Sequence, residues 1–87
     1  MAKYEILFKA SSEKELNQLP IIFINRIIKE IESLSNNPRP NGAKKLKGTS
    51  AYRIRISNYR VIYEIDEIGK RVIVFRVRHR KDVYRYL

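Results

Sequence analysis

Five arginines recur at alternate positions in three short segments of the 87-residue chain: Arg53 and Arg55, Arg60, then Arg76 and Arg78. Their neighbours are apolar and also alternate: Tyr52, Ile54 and Ile56; Tyr59, Val61, Tyr63 and Ile65; Ile73, Phe75 and Val77. That period of two predicts half-buried strands with one apolar and one basic side. A guanidinium is always charged and presents planar donors that match phosphate oxygens. The chemistry open to such a surface is anion binding and stabilisation of developing negative charge. The one histidine, His79, follows directly and is the only side chain type with an ordinary pKa near neutrality. The sequence carries no phosphate-binding Gly-rich loop, no metal-ligating His and carboxylate cluster and no nucleophile–His–acid arrangement. Any reaction is therefore expected to rest on positioning and electrostatics, without a metal or other cofactor. Tyr84 and Tyr86 lie near the C-terminus, where a ring can stack on a base or pack a terminal helix; for Tyr86 packing is preferred.

The register of these strands follows from their turns. Ser57-Asn58 has the length of a two-residue hairpin loop. It would pair Ile56 with Tyr59, Ile54 with Val61 and Tyr52 with Tyr63 on the apolar side, setting Arg55 opposite Arg60. In the next hairpin, keeping Phe75 and Val77 on the apolar side requires Tyr63 opposite Phe75 and Arg60 opposite Arg78. A slip of one residue would drive Arg76 into the core. This register needs an odd-length loop within Asp66–Arg71, with Gly69 as its left-handed residue. The expectation is a row Arg55–Arg60–Arg78 across three strands, flanked by Arg53 and Arg76. Like charges directly opposite one another destabilise a sheet, so a bound anion is the simplest reason for such a row. The plainer alternative is that each side chain fans into solvent, with Glu64 or Asp82 as partial compensation.

Composition points the same way. Lys and Arg number 19 against 9 Asp and Glu, a net charge of +10. Residues 1–38 hold five basic and five acidic residues, whereas residues 39–87 hold fourteen and four. An excess confined to one half attracts polyanions and releases their counterions; nucleic acid is the first candidate partner and an acidic protein the rival. There is no cysteine, which excludes disulfides and thiolate metal sites. No apolar run approaches the roughly 20 residues of a membrane span, and the N-terminus lacks a signal-peptide pattern. A soluble, cytoplasmic protein with no membrane partner is expected, organised as one domain over residues 1–87.

The remaining elements must carry the basic sheet. Tyr4, Ile6 and Phe8 predict a leading strand. Ser11 or Ser12 would cap a helix with Glu13 and Glu15 in its first turn and Leu16 and Leu19 on its apolar side. Pro20 suits the first turn of a second helix, whose Ile24, Ile27, Ile28, Ile31 and Leu34 form one apolar stripe. Asn36–Gly42 is a turn-rich connector, followed by the basic segment Lys44-Lys45-Leu46-Lys47-Gly48. Asp82–Leu87 would form a short helix or an extended tail. The expected class is α+β: a strand, a helical hairpin on one face of the sheet, a three-stranded antiparallel meander and a short C-terminal element.

Five segments occur together in order: Asn37-Pro38-Arg39-Pro40, Lys45-Leu46-Lys47-Gly48, Tyr52-Arg53-Ile54-Arg55, Asn58-Tyr59-Arg60-Val61-Ile62-Tyr63 and His79-Arg80-Lys81-Asp82-Val83-Tyr84. The ordered set resembles the RelE branch of the RelE/ParE toxin superfamily, over nearly the whole chain. The resemblance implies the toxin of a type II toxin–antitoxin pair, held inactive by a cognate antitoxin and meeting operator DNA only through that antitoxin. It implies a ribosome-dependent endoribonuclease that enters the A site of the 70S ribosome and cuts messenger RNA by attack of a ribose 2′-hydroxyl on the adjacent phosphate. By the same resemblance, Arg53 and Arg55 match two basic residues of the catalytic face, and Arg60 matches the arginine that holds the phosphate. Arg78 or Arg80 matches a late arginine assisting the leaving group, and Tyr84 the tyrosine that stacks on the substrate. Lys44, Lys45 and Lys47 would lie along ribosomal RNA, with Arg76 and Lys81 extending the RNA-binding surface.

One departure bears on mechanism. The best-known member of the family carries lysines where this chain has Arg53 and Arg55, and arginine is a poor proton acceptor. Charge stabilisation is then expected to dominate, with His79 as the candidate base. Two other functions remain open at this point: a gyrase-directed toxin of the ParE branch, and a non-catalytic RNA-binding module.

Overall fold

The computed structural model describes residues 3–79. Along the chain run β1 (Glu5–Phe8), α1 (Ala10–Asn17), α2 (Ile21–Ser33), β2 (Lys44–Lys45), β3 (Ala51–Ile56), β4 (Tyr59–Asp66) and β5 (Arg71–His79). The strands form one sheet in the order β1-β5-β4-β3-β2. β1 runs parallel to β5, and the other pairs are antiparallel. The α+β class and the meander are as expected, while the two-residue β2 is an addition. The expected C-terminal element lies outside the described residues.

The core occupies one face of the sheet, under both helices. Leu16 of α1 and Ile27 and Ile31 of α2, with Leu34 just beyond it, meet Ile54 and Ile56 of β3, Val61 and Tyr63 of β4, and Val72, Val74 and Val77 of β5. Pro20 stands just before α2 rather than in its first turn, and its carbonyl accepts from the amides of Phe23 and Ile24 at 2.9 and 3.1 Å. α1 likewise begins earlier than the serines suggest. Lys9 is its N-cap, and the hydroxyls of Ser11 and Ser12 are used elsewhere. Ser11 Oγ donates to the carbonyl of Phe75 (2.9 Å), and the buried Ser12 Oγ donates to that of Val74 (3.0 Å). β1 ends opposite Val74, so side chains of α1 take over the edge of β5 where β1 stops.

The β4–β5 ladder departs from the expected register in two places that cancel. Asp66 pairs with Arg71, leaving a four-residue loop whose left-handed residue is Lys70 (φ 55°), not Gly69. At Gly69 the amide donates to Asp66 Oδ1 (2.9 Å), and a Cβ there would require the Asp66 and Arg71 side chains to shift. Tyr63 then faces Val74 rather than Phe75, and Ile62 faces Arg76, so Phe75 is an extra residue in a β-bulge. The bulge inverts the alternation along β5. Val72 and Val74 fill the core before it and Val77 after it, whereas Ile73 and Phe75 leave the core face they were assigned. Beyond the bulge, Arg60 faces Arg78 as expected.

The far end of the sheet is tied to the connector. The buried Tyr63 donates to the carbonyl of Pro38 (2.7 Å) and stacks on Tyr52 with centroids 6.0 Å apart; burial pushes its pKa up to about 12. Arg39 donates to Tyr52 Oη (3.1 Å) and pairs with Glu67 (2.7 Å), which also accepts from the Tyr4 hydroxyl. The bonds to Tyr52 and Glu67 raise the Arg39 pKa. Those from Tyr4 and Arg39 hold the Glu67 carboxyl below its ordinary value.

Candidate nucleic-acid interface

The face opposite the helices carries the arginines, and two turns set their alignment. Ser57 adopts φ 57° in the β3–β4 turn, which pairs Ile56 with Tyr59 and Arg55 with Arg60. The bulge at Phe75 then keeps Arg78 opposite Arg60. The row Arg55–Arg60–Arg78 thus crosses β3, β4 and β5 in register. A second row lies two residues along each strand: Lys44 faces Arg53, Arg53 faces Ile62, and Ile62 faces Arg76. Strands sit about 4.8 Å apart and same-face residues about 6.8 Å apart along a strand, so the five arginine Cα atoms occupy roughly 10 by 7 Å. Arg55 and Arg76 are exposed, Arg53 and Arg78 half-buried, and Arg60 at the centre is only 6% exposed. A charge held that deep needs acceptors around it. The partly buried Ile62 gives the patch an apolar floor.

Carboxylates of both helices approach this patch: Glu30 of α2 lines a cleft with Arg53 and Arg55, and another ion-pairs with Arg76 and Arg78. Glu64 stands opposite Ala51 and accepts from Ser50 Oγ (3.1 Å); Asp82 lies outside the described residues. The ion-pairing carboxylate is Glu15 of α1. Its Oε2 lies 2.5 Å from Arg78 Nε and 3.1 Å from Arg76 Nη1, while Oε1 accepts from the amide of Val77 at 2.9 Å. Sequence reasoning had assigned Glu15 to the dipole of its own helix. The usable signal was its spacing from Ser11 and Ser12, which puts all three on one helix face directly after a strand.

His79 ends β5, next to Arg78. It pairs with Tyr59, on the helix-covered side of the sheet, and meets that ring edge-on at 5.6 Å; Tyr59 in turn packs on Phe23 of α2 at 5.3 Å. It lines a cleft of about 310 Å³ with Glu15, Gln18, Leu19, Tyr59, Val77 and Arg78. Residues 78 and 79 are consecutive in one strand, so their side chains leave on opposite faces. His79 therefore leaves β5 on the face opposite Arg78, while bordering one cleft with Arg78 and Glu15. Lys44, Lys45 and Lys47 are all exposed, at the β2 edge and in the turn after it. Arg80, Lys81 and Tyr84 lie outside the described residues.

Among the described residues, no group of three or more His, Cys, Asp or Glu side chains could hold a metal ion, and no helix is long and apolar enough to cross a membrane. Chemically, two cationic rows on one sheet face, bordered by helix carboxylates, can hold an anion.

Comparison with known proteins agrees with this geometry. The family model for the ParE toxin of type II toxin–antitoxin systems matches residues 6–84. The chain is 37% identical to toxin RelE3 of Methanocaldococcus jannaschii, over 94% of this chain and 97% of that protein. It is 30% identical to toxin RelG of Mycobacterium tuberculosis, over 94% and 97%. The toxin in the RelB–RelE antitoxin–toxin complex from Methanococcus jannaschii superposes with a TM-score of 0.75 at 36% identity, covering 93% of this chain and 98% of that one. The chain belongs to the RelE branch of the RelE/ParE superfamily and is a toxin of the type II toxin–antitoxin class.

Proposed function

We propose that the chain is a ribosome-dependent endoribonuclease that cleaves messenger RNA in the A site. The ribose 2′-hydroxyl attacks the adjacent phosphate. A 2′-O–P bond forms as the P–O5′ bond breaks, the 2′-oxygen loses its proton and the 5′-oxygen gains one, leaving a cyclic phosphate and a free 5′-hydroxyl. The observation that carries this reading is the in-register Arg55–Arg60–Arg78 row. The pentavalent transition state holds more negative charge than the ground-state diester, and preorganised cations aimed at that charge lower the barrier. Arg60 is assigned to the phosphate oxygens and Arg78 to the leaving oxygen, with Arg55 completing the clamp. Arg53, Lys44 and Arg76 would hold the neighbouring nucleotide over Ile62. Tyr84 is assigned to base stacking, Arg80 and Lys81 to the adjoining RNA, and Lys45 and Lys47 to ribosomal RNA.

No base role goes to His79, whose ring packs on Tyr59. Proton transfer is assigned to solvent or to the ribosome, with alignment and charge stabilisation as the protein's share. No step uses a metal or other cofactor. Solved relatives include complexes with RelB antitoxins, which supports a cognate antitoxin as the partner that keeps the toxin inactive; the site of action is the cytoplasm.

The test is primer extension on translated messages after induction of the chain. Cuts within translated codons support the reading, and their absence overturns it. The ParE description of the matching family model favours a second reading, a gyrase-directed toxin. Gyrase-dependent DNA damage without message cleavage would establish that reading instead.

A further inference from the structure

Glu15 has no part in the proposed reaction, yet it sits at the edge of the arginine rows. A carboxylate beside a phosphate-binding surface is electrostatically unwelcome, because it lowers the potential that attracts RNA. Glu15 is nonetheless fixed by two hydrogen bonds and an ion pair. Val77 N–H donates to Oε1 at 2.9 Å, and Arg78 Nε and Arg76 Nη1 reach Oε2 at 2.5 and 3.1 Å. Its side chain is 18% exposed, against 21% for Arg78 and 47% for Arg76. The helix carrying it is itself anchored to β5 by Ser11 and Ser12, on the carbonyls of Phe75 and Val74 at the bulge.

We propose that Glu15 is a positioning residue: it fixes the guanidinium planes of Arg78 and Arg76 at the edge of the sheet, so that Arg78 meets a phosphate already bound by Arg55 and Arg60. The role rests on the endoribonuclease reading. An arginine side chain has several rotatable bonds, and ordering it during the reaction costs entropy. A carboxylate that holds the Nε edge removes that cost beforehand and leaves the fork pre-aligned. The two hydrogen-bonding ends of Glu15 separate its tasks. Oε1 supports the backbone of the bulged strand, and the charge on Oε2 orients the arginines.

The experiment is a double-mutant cycle on purified full-length chain acting on programmed ribosomes. Glu15→Gln keeps an acceptor for Val77 N–H and removes the charge. It should lower kcat about ten-fold, in the range that misplacement of a catalytic group produces, with KM unchanged or reduced because the basic face loses a bordering anion. In an Arg78→Ala background the same substitution should change kcat little, since there is no longer an Arg78 to orient. If Glu15→Gln proves too unstable to assay, Glu15→Asp, which keeps the charge but retracts it by one methylene, serves the same cycle. An equal loss in both backgrounds, or no loss in either, overturns the positioning role alone. Absence of any cleavage by the unsubstituted chain overturns the endoribonuclease reading and this role with it.

Discussion

Arg60 faces Arg78 across the β4–β5 ladder, beyond the bulge that sets Tyr63 against Val74. Arg55 faces Arg60 from the other side, so the row sets three like charges side by side. Such an arrangement works against folding, and the proposed function gives it a phosphate to bind.

Replacing Arg55 should therefore separate stability from activity. Arg55 is exposed at the end of the row. Arg55→Gln should leave urea stability unchanged or raise it by about 0.2–1 kcal/mol, the size of a relieved cross-strand repulsion. The same variant should lose about 100-fold in kcat, as removal of one oxyanion donor does. A destabilised variant that kept full activity would contradict both halves.

The second row makes a prediction about salt. Arg53 and Arg76 flank Ile62, and Lys44 faces Arg53 one strand further out. Removing one cation that touches a phosphate of a single strand should flatten the plot of log K against log salt by about 0.7. Titrations of a short single-stranded RNA at several salt concentrations should show this for Lys44→Gln and Arg53→Gln. Arg39→Gln should leave the slope unchanged, because Arg39 is engaged with Glu67 and Tyr52 at the other end of β4.

His79→Ala is expected to leave the shape of the pH–rate profile between about pH 5 and 9, the range in which an imidazole titrates, unaltered. Its effect should appear as weaker packing on Tyr59, about 0.5–1.5 kcal/mol for an aromatic pair, read from denaturant melts. Disappearance of an acidic limb in the variant would return His79 to the chemistry.

Much of this site was legible because strand alternation is strict. Arg55 opposite Arg60 followed from a two-residue turn, and the α2 stripe of Ile27, Ile31 and Leu34 from helical spacing. The bulge was not legible. Ile73, Phe75 and Val77 alternate as well as Val72 and Val74 do, and composition cannot choose between them. The choice is made by bonds from α1, where Ser11, Ser12 and Glu15 reach β5 around Phe75. Those bonds depend on β1 lying parallel beside β5, a long-range pairing with no local signature. For the same reason Glu15 reads from sequence as a helix-end charge.

The cluster at the far end of the sheet predicts a pH effect. The Glu67 carboxyl is held below its ordinary value of 4.5 by the bonds from Tyr4 and Arg39. A carboxyl whose folded pKa is depressed contributes stability above its unfolded pKa and loses it as pH falls through the folded value. Thermal melts from neutral pH down to about pH 3 should therefore show a smaller acid-side drop for Glu67→Gln than for the unsubstituted chain. Tyr63→Phe acts differently: it leaves the carbonyl of Pro38 without its donor and should cost about 1–3 kcal/mol across the whole range below the Tyr63 pKa of about 12.

The central claim is that the arginine row performs RNA cleavage on the ribosome. The most direct measurement is primer extension on a defined message in programmed ribosomes, using EDTA-washed toxin and comparing the unsubstituted chain with Arg60→Gln. The predicted result is cuts at A-site codons that survive removal of free divalent metal from the toxin and vanish, while the variant remains folded, when Arg60 is replaced. Cuts that persist undiminished in folded Arg60→Gln, or a message left whole by the unsubstituted chain, would contradict it.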